Sequence, residues 1–176
     1  MRRVSEIIRR LQRFTNPVRA EVSVVDVREL LLNALELLPP ELKATAQLTL
    51  SLGSVPPLKC RPQQLNAVFS KRSQERHSLS KRQGRVHVYC RRERGAILIR
   101  IQDQGLGIPK ERLPQLFEPS LLVKEGRVSI ANWGLFNSKR IIVEHGGEIS
   151  VDNTEGQRTT VTVSLPLHPE KSWNQG

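Results

Sequence analysis

Residues 96–109 read AILIRIQDQGLGIP, and no other stretch of the chain leaves so few structural options. Ile97, Ile99 and Ile101 recur at every second position, the period of a strand with one face on a core. That alternation runs directly into Asp103 and then into Gly105 and Gly107. A strand therefore delivers a carboxylate at its end, and two glycines let the backbone turn tightly and come close to a flat or phosphorylated ligand. An ionised carboxylate at such a place is an acceptor for an exocyclic amine. Taken alone, D-x-G-x-G fits a plain turn equally well.

The rest of the chain reads as elements that can surround this strand. Val4, Ile7, Ile8, Leu11 and Phe14 lie at helical spacing, so residues 4–14 are expected to form a short amphipathic helix ending before Asn16-Pro17. A second helix is expected after Asp26 as N-cap with Glu29 three residues on, running to Leu38 ahead of Pro39-Pro40. Residues 47–52 alternate as a strand, 53–57 form a turn, and Arg61-Pro62 opens a helix with Leu65, Val68 and Phe69 on its buried face. From Lys71 to Gln83 the text is KRSQERHSLSKRQ, without apolar periodicity, and the helix is expected to fail there. Residues 85–89 and 96–102 are strands around a turn at 93–95. They are followed by a helix from Pro109 to about Phe117 and an irregular segment to Trp133. A helix over 135–145, broken by Gly146-Gly147, and strands over 148–152 and 159–165 complete the order. The expectation is one α+β domain: a two-layer sandwich with a mixed sheet of about five strands backed by about three helices.

The net charge is +11, which nominates nucleic acid, an anionic membrane surface or a phosphate ligand. Aromatic residues are only 4% of the chain, so the stacking platforms of single-stranded nucleic-acid binders are scarce. No apolar run approaches the roughly 18 residues of a membrane span, and Met1-Arg2-Arg3 is not followed by a signal-peptide apolar region. Cys60 and Cys90 have no C-x-x-C spacing and read as two inert thiols of a reducing compartment, so a cytoplasmic chain is expected.

Several further segments accompany D-x-G-x-G: Leu116-Phe117-Glu118-Pro119, Gly134-Leu135-Phe136, residues 141–149 (IIVEHGGEI) and Gly156-Gln-Arg-Thr159-Thr160-Val161. In this order the chain resembles the catalytic, ATP-binding domain of bacterial two-component sensor histidine kinases, part of the ATPase superfamily shared with gyrase and MutL. The likeness covers about residues 20 to 166. Residues 61–69 look like the start of the family's Asn-box helix, Asp103 to Gly107 its first glycine box, Phe117-Glu-Pro119 its Phe box and Trp133-Gly134-Leu135 a divergent second glycine box. The resemblance implies ATP and Mg²⁺ as cofactors. Asp103 would receive the adenine amino group, Gly105, Gly107 and Ile108 would shape the base pocket, and Phe117 would anchor a lid. Gly134 and Leu135 would present the positive end of a helix to the phosphates, joined by Lys124 and Lys139. Solvated lysines are the plain alternative for the last two.

Two departures stand out. The second glycine box normally reads G-x-G-x-G, whereas residues 130–134 are IANWG; Asn132 can still take the left-handed conformation of the turn. The Asn box should place asparagines at positions 71 and 75, the second helping to hold Mg²⁺, but the chain has Lys71 and Glu75. Glu75 is a hard oxygen donor able to take that role. The string from Lys71 to Ser78 admits a codon choice from which loss of one adenine yields NDLKNAIH, a well-formed Asn box. A local frameshift over residues 71–83 is the corresponding hypothesis, and codons 71 to 77 of the gene decide it.

None of His77, His87, His145 and His168 lies in the H-E/D-x-x-x-P context of a phosphoacceptor. The resemblance thus implies an acceptor histidine on a separate dimerisation domain, a response regulator as downstream partner and a homodimeric full-length protein. Residues 1–19 read as a remnant of the helical hairpin, 20–167 as the ATP-binding domain and 168–176 as a tail. His145 reads as a helix-ending structural residue. The alternatives are a nucleotide-binding or protein-interaction module without catalysis, favoured by the altered Asn box, and a basic nucleic-acid binder, favoured by charge alone.

Overall fold

The computed structural model describes residues 21–38, 40, 47–75, 85–104, 108–124, 127–154 and 158–168. The expected helix over 4–14 and the tail beyond His168 lie outside them. In chain order the elements are β1 (Ser23–Val25), α1 (Val27–Glu36), β2 (Gln47–Leu52), β3 (Leu58–Cys60), α2 (Pro62–Glu75), β4 (Arg85–Glu93) and β5 (Ala96–Asp103). After a 3₁₀ turn at Lys110–Arg112 come β6 (Ser120–Lys124), β7 (Arg127–Ala131), α3 (Trp133–Glu144), β8 (Glu148–Thr154) and β9 (Arg158–Pro166).

The main sheet has five strands in the order β2-β4-β5-β9-β8, with β2 parallel to β4 and every other pair antiparallel. Two small antiparallel pairs, β1-β3 and β6-β7, stand apart from it. The mixed five-strand sheet with three helices is the expected α+β architecture. The inward residues stack in cross-strand rows: Cys90, Ile99, Val163 and Ile149 form one, and Val88, Ile101, Val161 and Val151 the next. Against them α1 sets Val27, Leu30, Leu31 and Ala34, α2 sets Leu65, Val68 and Phe69, and α3 sets Ile141 and Ile142. Burying each such side chain contributes about 1.5–3 kcal/mol for the larger aliphatic and aromatic residues, so the helices are held by the sheet rather than by propensity.

Local chemistry sets the element ends. Asp26 caps α1, its Oδ1 accepting from the Arg28 N–H at 2.8 Å. The Arg28 side chain also pairs with that carboxylate, so the side-chain partner is Arg28 rather than Glu29, and these hydrogen bonds lower the Asp26 pKa. The β4-β5 turn puts Arg94 at φ 47° and Gly95 at φ 80°, a two-residue hairpin of the kind that matches strand twist. α3 ends in a Schellman motif: Gly147 N–H donates to Ile142 C=O and Gly146 N–H to Val143 C=O, both at 2.9 Å, with Gly146 at φ 71°.

Four expectations are corrected. The helix expected from Pro109 to Phe117 is only a 3₁₀ turn followed by turns, because Pro114 lacks the N–H a helix interior needs and crowds the preceding turn. The segment expected to be irregular before Trp133 contains the β6-β7 hairpin, rich in aliphatic residues such as Val123, Val128 and Ile130. α2 does not stop at Lys71 but continues to Glu75, since Lys, Arg, Gln and Glu propagate a helix well without an apolar stripe. Finally, β1 and β3 were not expected; three residues each are too short to show a period.

Candidate functional site

Beyond the row of Val88, Ile101, Val161 and Val151, the inward face of the sheet turns polar on three adjacent strands. Asp103 pairs with Thr159, and Thr159 with Asn153, in the ladder next to the Ile101–Val161–Val151 row. Thr159 is buried, while Asp103 and Asn153 are half-buried. A carboxylate, a hydroxyl and an amide thus line the rim of the core where β5 leaves the sheet. Neither Thr159 nor Asn153 was among the expected site residues. The signal was there in period-2 form, since each of three apolar alternations ends on a polar inward residue, but only the strand register brings those ends together.

Asn153 holds Ile108, the first described residue after Gly105 and Gly107. Its Oδ1 accepts from the Ile108 N–H at 2.7 Å and from Thr159 Oγ1 at 3.3 Å, and its Nδ2 donates to the Ile108 C=O at 2.5 Å. One side-chain amide thereby takes both backbone groups of Ile108, as a neighbouring strand would. Gly105 and Gly107 lie outside the described residues.

A second group forms at the start of α3. Asn132 is the N-cap at φ 59° and ψ 7°, the left-handed conformation expected of it. Its side chain does not cap the helix; Nδ2 donates instead to the carbonyls of Gln115 at 3.1 Å and Glu118 at 3.3 Å. Asn132 therefore buckles the loop containing Phe117 onto the helix start. Phe117 packs against the core, and the exposed Lys139 sets its ammonium 5.3 Å from the Phe117 ring centroid, a cation–π distance. Gly134 is buried in the first turn of α3, with Ser138 Oγ donating to its carbonyl at 2.8 Å, and Leu135 is half-buried beside it. The Asn132 side chain makes no cap hydrogen bond to α3, and the start of a helix carries the positive end of its dipole, which suits an anion.

The remaining expected residues are placed by their backbone. Lys71 and Glu75 lie one turn apart in the last part of α2, and Lys124 ends β6. His145 is structural: it is 3% exposed, its Nδ1 lies 2.7 Å from the Ile141 carbonyl and its Nε2 accepts from the Arg61 N–H at 3.1 Å. It ties the end of α3 to the start of α2, and burial lowers its pKa. Cys60 and Cys90 are buried free thiols pushed up to about 11 by desolvation, in keeping with two inert thiols. Among the described residues no group of three or more His, Cys, Asp or Glu could hold a metal, and no helix is long and apolar enough to cross a membrane.

The described residues thus give a hydrogen-bonding rim where β5 ends and an α3 start that the Asn132 side chain does not cap. Comparison with known proteins shows the family. The chain is 28% identical over 170 residues to sporulation kinase E of Bacillus subtilis, covering 95% of this chain and 23% of that protein. It is 31% identical over 157 residues to the alginate biosynthesis sensor protein KinB of Pseudomonas aeruginosa, covering 87% and 26%. The chain thus spans about a quarter of the length of these curated relatives. Its fold matches the nucleotide-free catalytic domain of histidine kinase ThkA with a TM-score of 0.73 at 19% identity, over 86% of this chain and 99% of that one. It also matches ThkA in complex with the response regulator TrrA, with a TM-score of 0.72 at 17% identity over 97% and 49%. The family model for the histidine kinase-, DNA gyrase B- and HSP90-like ATPases matches residues 66–169, more than half of the sequence, and the chain belongs to that family.

Proposed function

We propose that this chain is the ATP-binding catalytic domain of a sensor histidine kinase, acting in two-component signalling. The observation that carries the reading is the polar rim Asp103–Thr159–Asn153, one cross-strand row beyond the apolar Ile101–Val161–Val151 row. Asp103 accepts the adenine amino group, with Gly105, Gly107 and Ile108 forming the wall of the base pocket. The first turn of α3, with Gly134 and Leu135, faces the phosphates. Asn132 and Phe117 fasten the ends of the β6-β7 hairpin, which serves as the lid, and Lys124 and Lys139 add positive charge. ATP would supply the γ-phosphoryl group, and Mg²⁺ bound with it would supply most of the charge neutralisation. Glu75 would be the protein oxygen donor for that ion.

The acceptor is an imidazole on a dimerisation domain. Among this chain's own histidines, His145 is locked between two helices and none has acceptor context. A response regulator is the downstream partner, by analogy with the TrrA complex of ThkA. In this reading residues 20–167 are the catalytic domain, residues 1–19 the end of the helical hairpin and residues 168–176 a tail, and the full-length protein is a homodimer.

One observation favours a second reading, a nucleotide-binding module without catalysis: Lys71 and Glu75 occupy the Asn-box positions. Titration with a fluorescent ATP analogue separates the two. Mg²⁺-dependent binding supports the kinase domain and Mg²⁺-independent binding supports the module, while salt-sensitive DNA binding without nucleotide affinity overturns both. Asp103→Asn, nearly isosteric, replaces the acceptor face of the carboxylate and is expected to weaken adenine nucleotide binding by about tenfold to a hundredfold while the fold survives, the range for a hydrogen bond to a charged group. Unchanged affinity rules out the adenine contact.

A further inference from the structure

The strand period that sends Ile97, Ile99 and Ile101 toward the helices sends Leu98, Arg100 and Gln102 to the opposite face of the main sheet. On that face the register sets Arg100 between Tyr89 of β4 and Thr162 of β9, and Gln102 between His87 and Thr160. The strands there frame a concavity of about 640 Å³, a volume in the range of ligand and peptide clefts. Leu98 and Tyr89, both half-buried, give it an apolar floor, and Arg91, Arg100 and Arg158 give it positive charge. Arg91 is engaged by Glu93 Oε2, to which its Nε and Nη2 donate at 3.1 and 2.8 Å. Arg100 and Arg158 are exposed and form no ion pair among the described residues, not even with Asp152, the acid in the lining.

We propose that this outer sheet face docks an extended acidic segment of a partner protein, with Arg100 and Arg158 as its two ionic anchors. Arg158 lies four residues before Thr162, the partner of Arg100 in the ladder. A strand rise of ~3.3 Å and a strand spacing of ~4.8 Å put the two arginine Cα atoms roughly 14 Å apart, and an extended peptide sets same-face residues i and i+4 about 13 Å apart. Two carboxylates at that spacing therefore meet both guanidinium groups, each of which takes a carboxylate in a bidentate pair. Thr160, between the anchors on β9, offers a hydroxyl to the bound segment. Charge and ring geometry select this occupant over others. A second copy of the chain carries the same net +11 and is repelled. A nucleic acid bears a phosphate on every residue, so it cannot avoid Asp152, and one face of the Tyr89 ring is already covered by His87 at 3.8 Å and 22° rather than open to a base. The surface lies on the side of the sheet away from α1, α2 and α3, so it stands independently of the nucleotide reading.

The test is an NMR titration of the full chain, following backbone amide shifts, with a short synthetic peptide that carries two glutamates four positions apart. The same peptide with lysines in their place and a short single-stranded DNA are titrated alongside. The glutamate peptide is expected to shift the amides of residues 98–102 and 158–162, more weakly as salt is added, and the lysine peptide to leave them unmoved. Arg100→Gln and Arg158→Gln are each expected to weaken binding by about two- to fivefold, the range for an exposed ion pair, and the double variant by about the product, since the sites are too far apart to couple. Both side chains are exposed, so the variants keep the fold, which their own amide spectra check. No shifts on this face at millimolar peptide overturn the proposal, as do equal shifts from the lysine peptide or full affinity in the double variant. DNA that binds this face more tightly than the glutamate peptide overturns the choice of an acidic polypeptide as occupant.

Discussion

Mild acidification, from pH 7.5 to 5.5, is expected to weaken this fold through His145. The imidazole is 3% exposed and bridges two helices, with Nδ1 beside the Ile141 carbonyl at 2.7 Å and Nε2 accepting from the Arg61 N–H at 3.1 Å. That pattern requires the neutral tautomer protonated on Nδ1. A second proton, on Nε2, would face the Arg61 N–H, so one bond is lost and two donors are opposed in a buried place. Desolvation is the largest cause of the lowered pKa; the Ile141 carbonyl and the Glu144 charge oppose it, and the Arg61 charge adds to it. Because the folded-state pKa lies below the unfolded value of about 6.5, the contribution is fully present above pH ~6.5 and is lost as pH falls through the depressed folded value. Replacing the side chain removes its packing and leaves the Arg61 N–H without its acceptor, so His145→Ala is expected to cost about 2–4 kcal/mol at neutral pH. Urea unfolding of wild type and His145→Ala at pH 7.5 and 5.5 measures both effects. The wild type should lose stability between the two values and the variant should lose less. An identical pH dependence in the two proteins would falsify the assignment of that dependence to His145.

Two further outcomes are expected. Gly147→Ala should be severely destabilising, because a Cβ there would stand 2.3 Å from the Ser164 carbonyl oxygen, a backbone atom that cannot yield without shifting β9, and 3.1 Å from side-chain carbons of Ile142 and Leu165. Calorimetry that found a melting temperature within a few degrees of wild type, a shift of about 1 kcal/mol or less, would contradict the close packing. Glu75→Gln should weaken Mg²⁺-dependent ATP-analogue binding by about tenfold if Glu75 is the protein donor, since it removes the anionic oxygen. Unchanged affinity would place the Mg²⁺ donors elsewhere.

Much of the architecture was legible in the linear text because it depends on short-range signals. The Asp26 cap, the alternation through Ile97, Ile99 and Ile101, the buried Leu65, Val68 and Phe69, and Gly146-Gly147 after α3 were all anticipated and are found. Errors came where two local signals competed. Pro114 overrode the helical pattern after Pro109, and aliphatic residues after Pro119 made strands where no clean alternation announced them. The left-handed turn at Asn132 was expected from residue type, but its side-chain grip on the Gln115 and Glu118 carbonyls was not, because those groups lie 17 and 14 positions away.

The sequence by itself determined that β5 ends in a carboxylate followed by two closely spaced glycines, that a helix opens on an asparagine and a glycine, and that the motifs follow one another in the order of an ATPase family. Each of these is a property of residues within a few positions of one another. Only the tertiary structure decided that Thr159 and Asn153 stand in one row with Asp103, that Asn153 holds Ile108, and that His145 is a tie between helices rather than a free imidazole. Those relations depend on strand register and helix packing, and both are set by burying the whole apolar face at once, which no local stretch of sequence can encode.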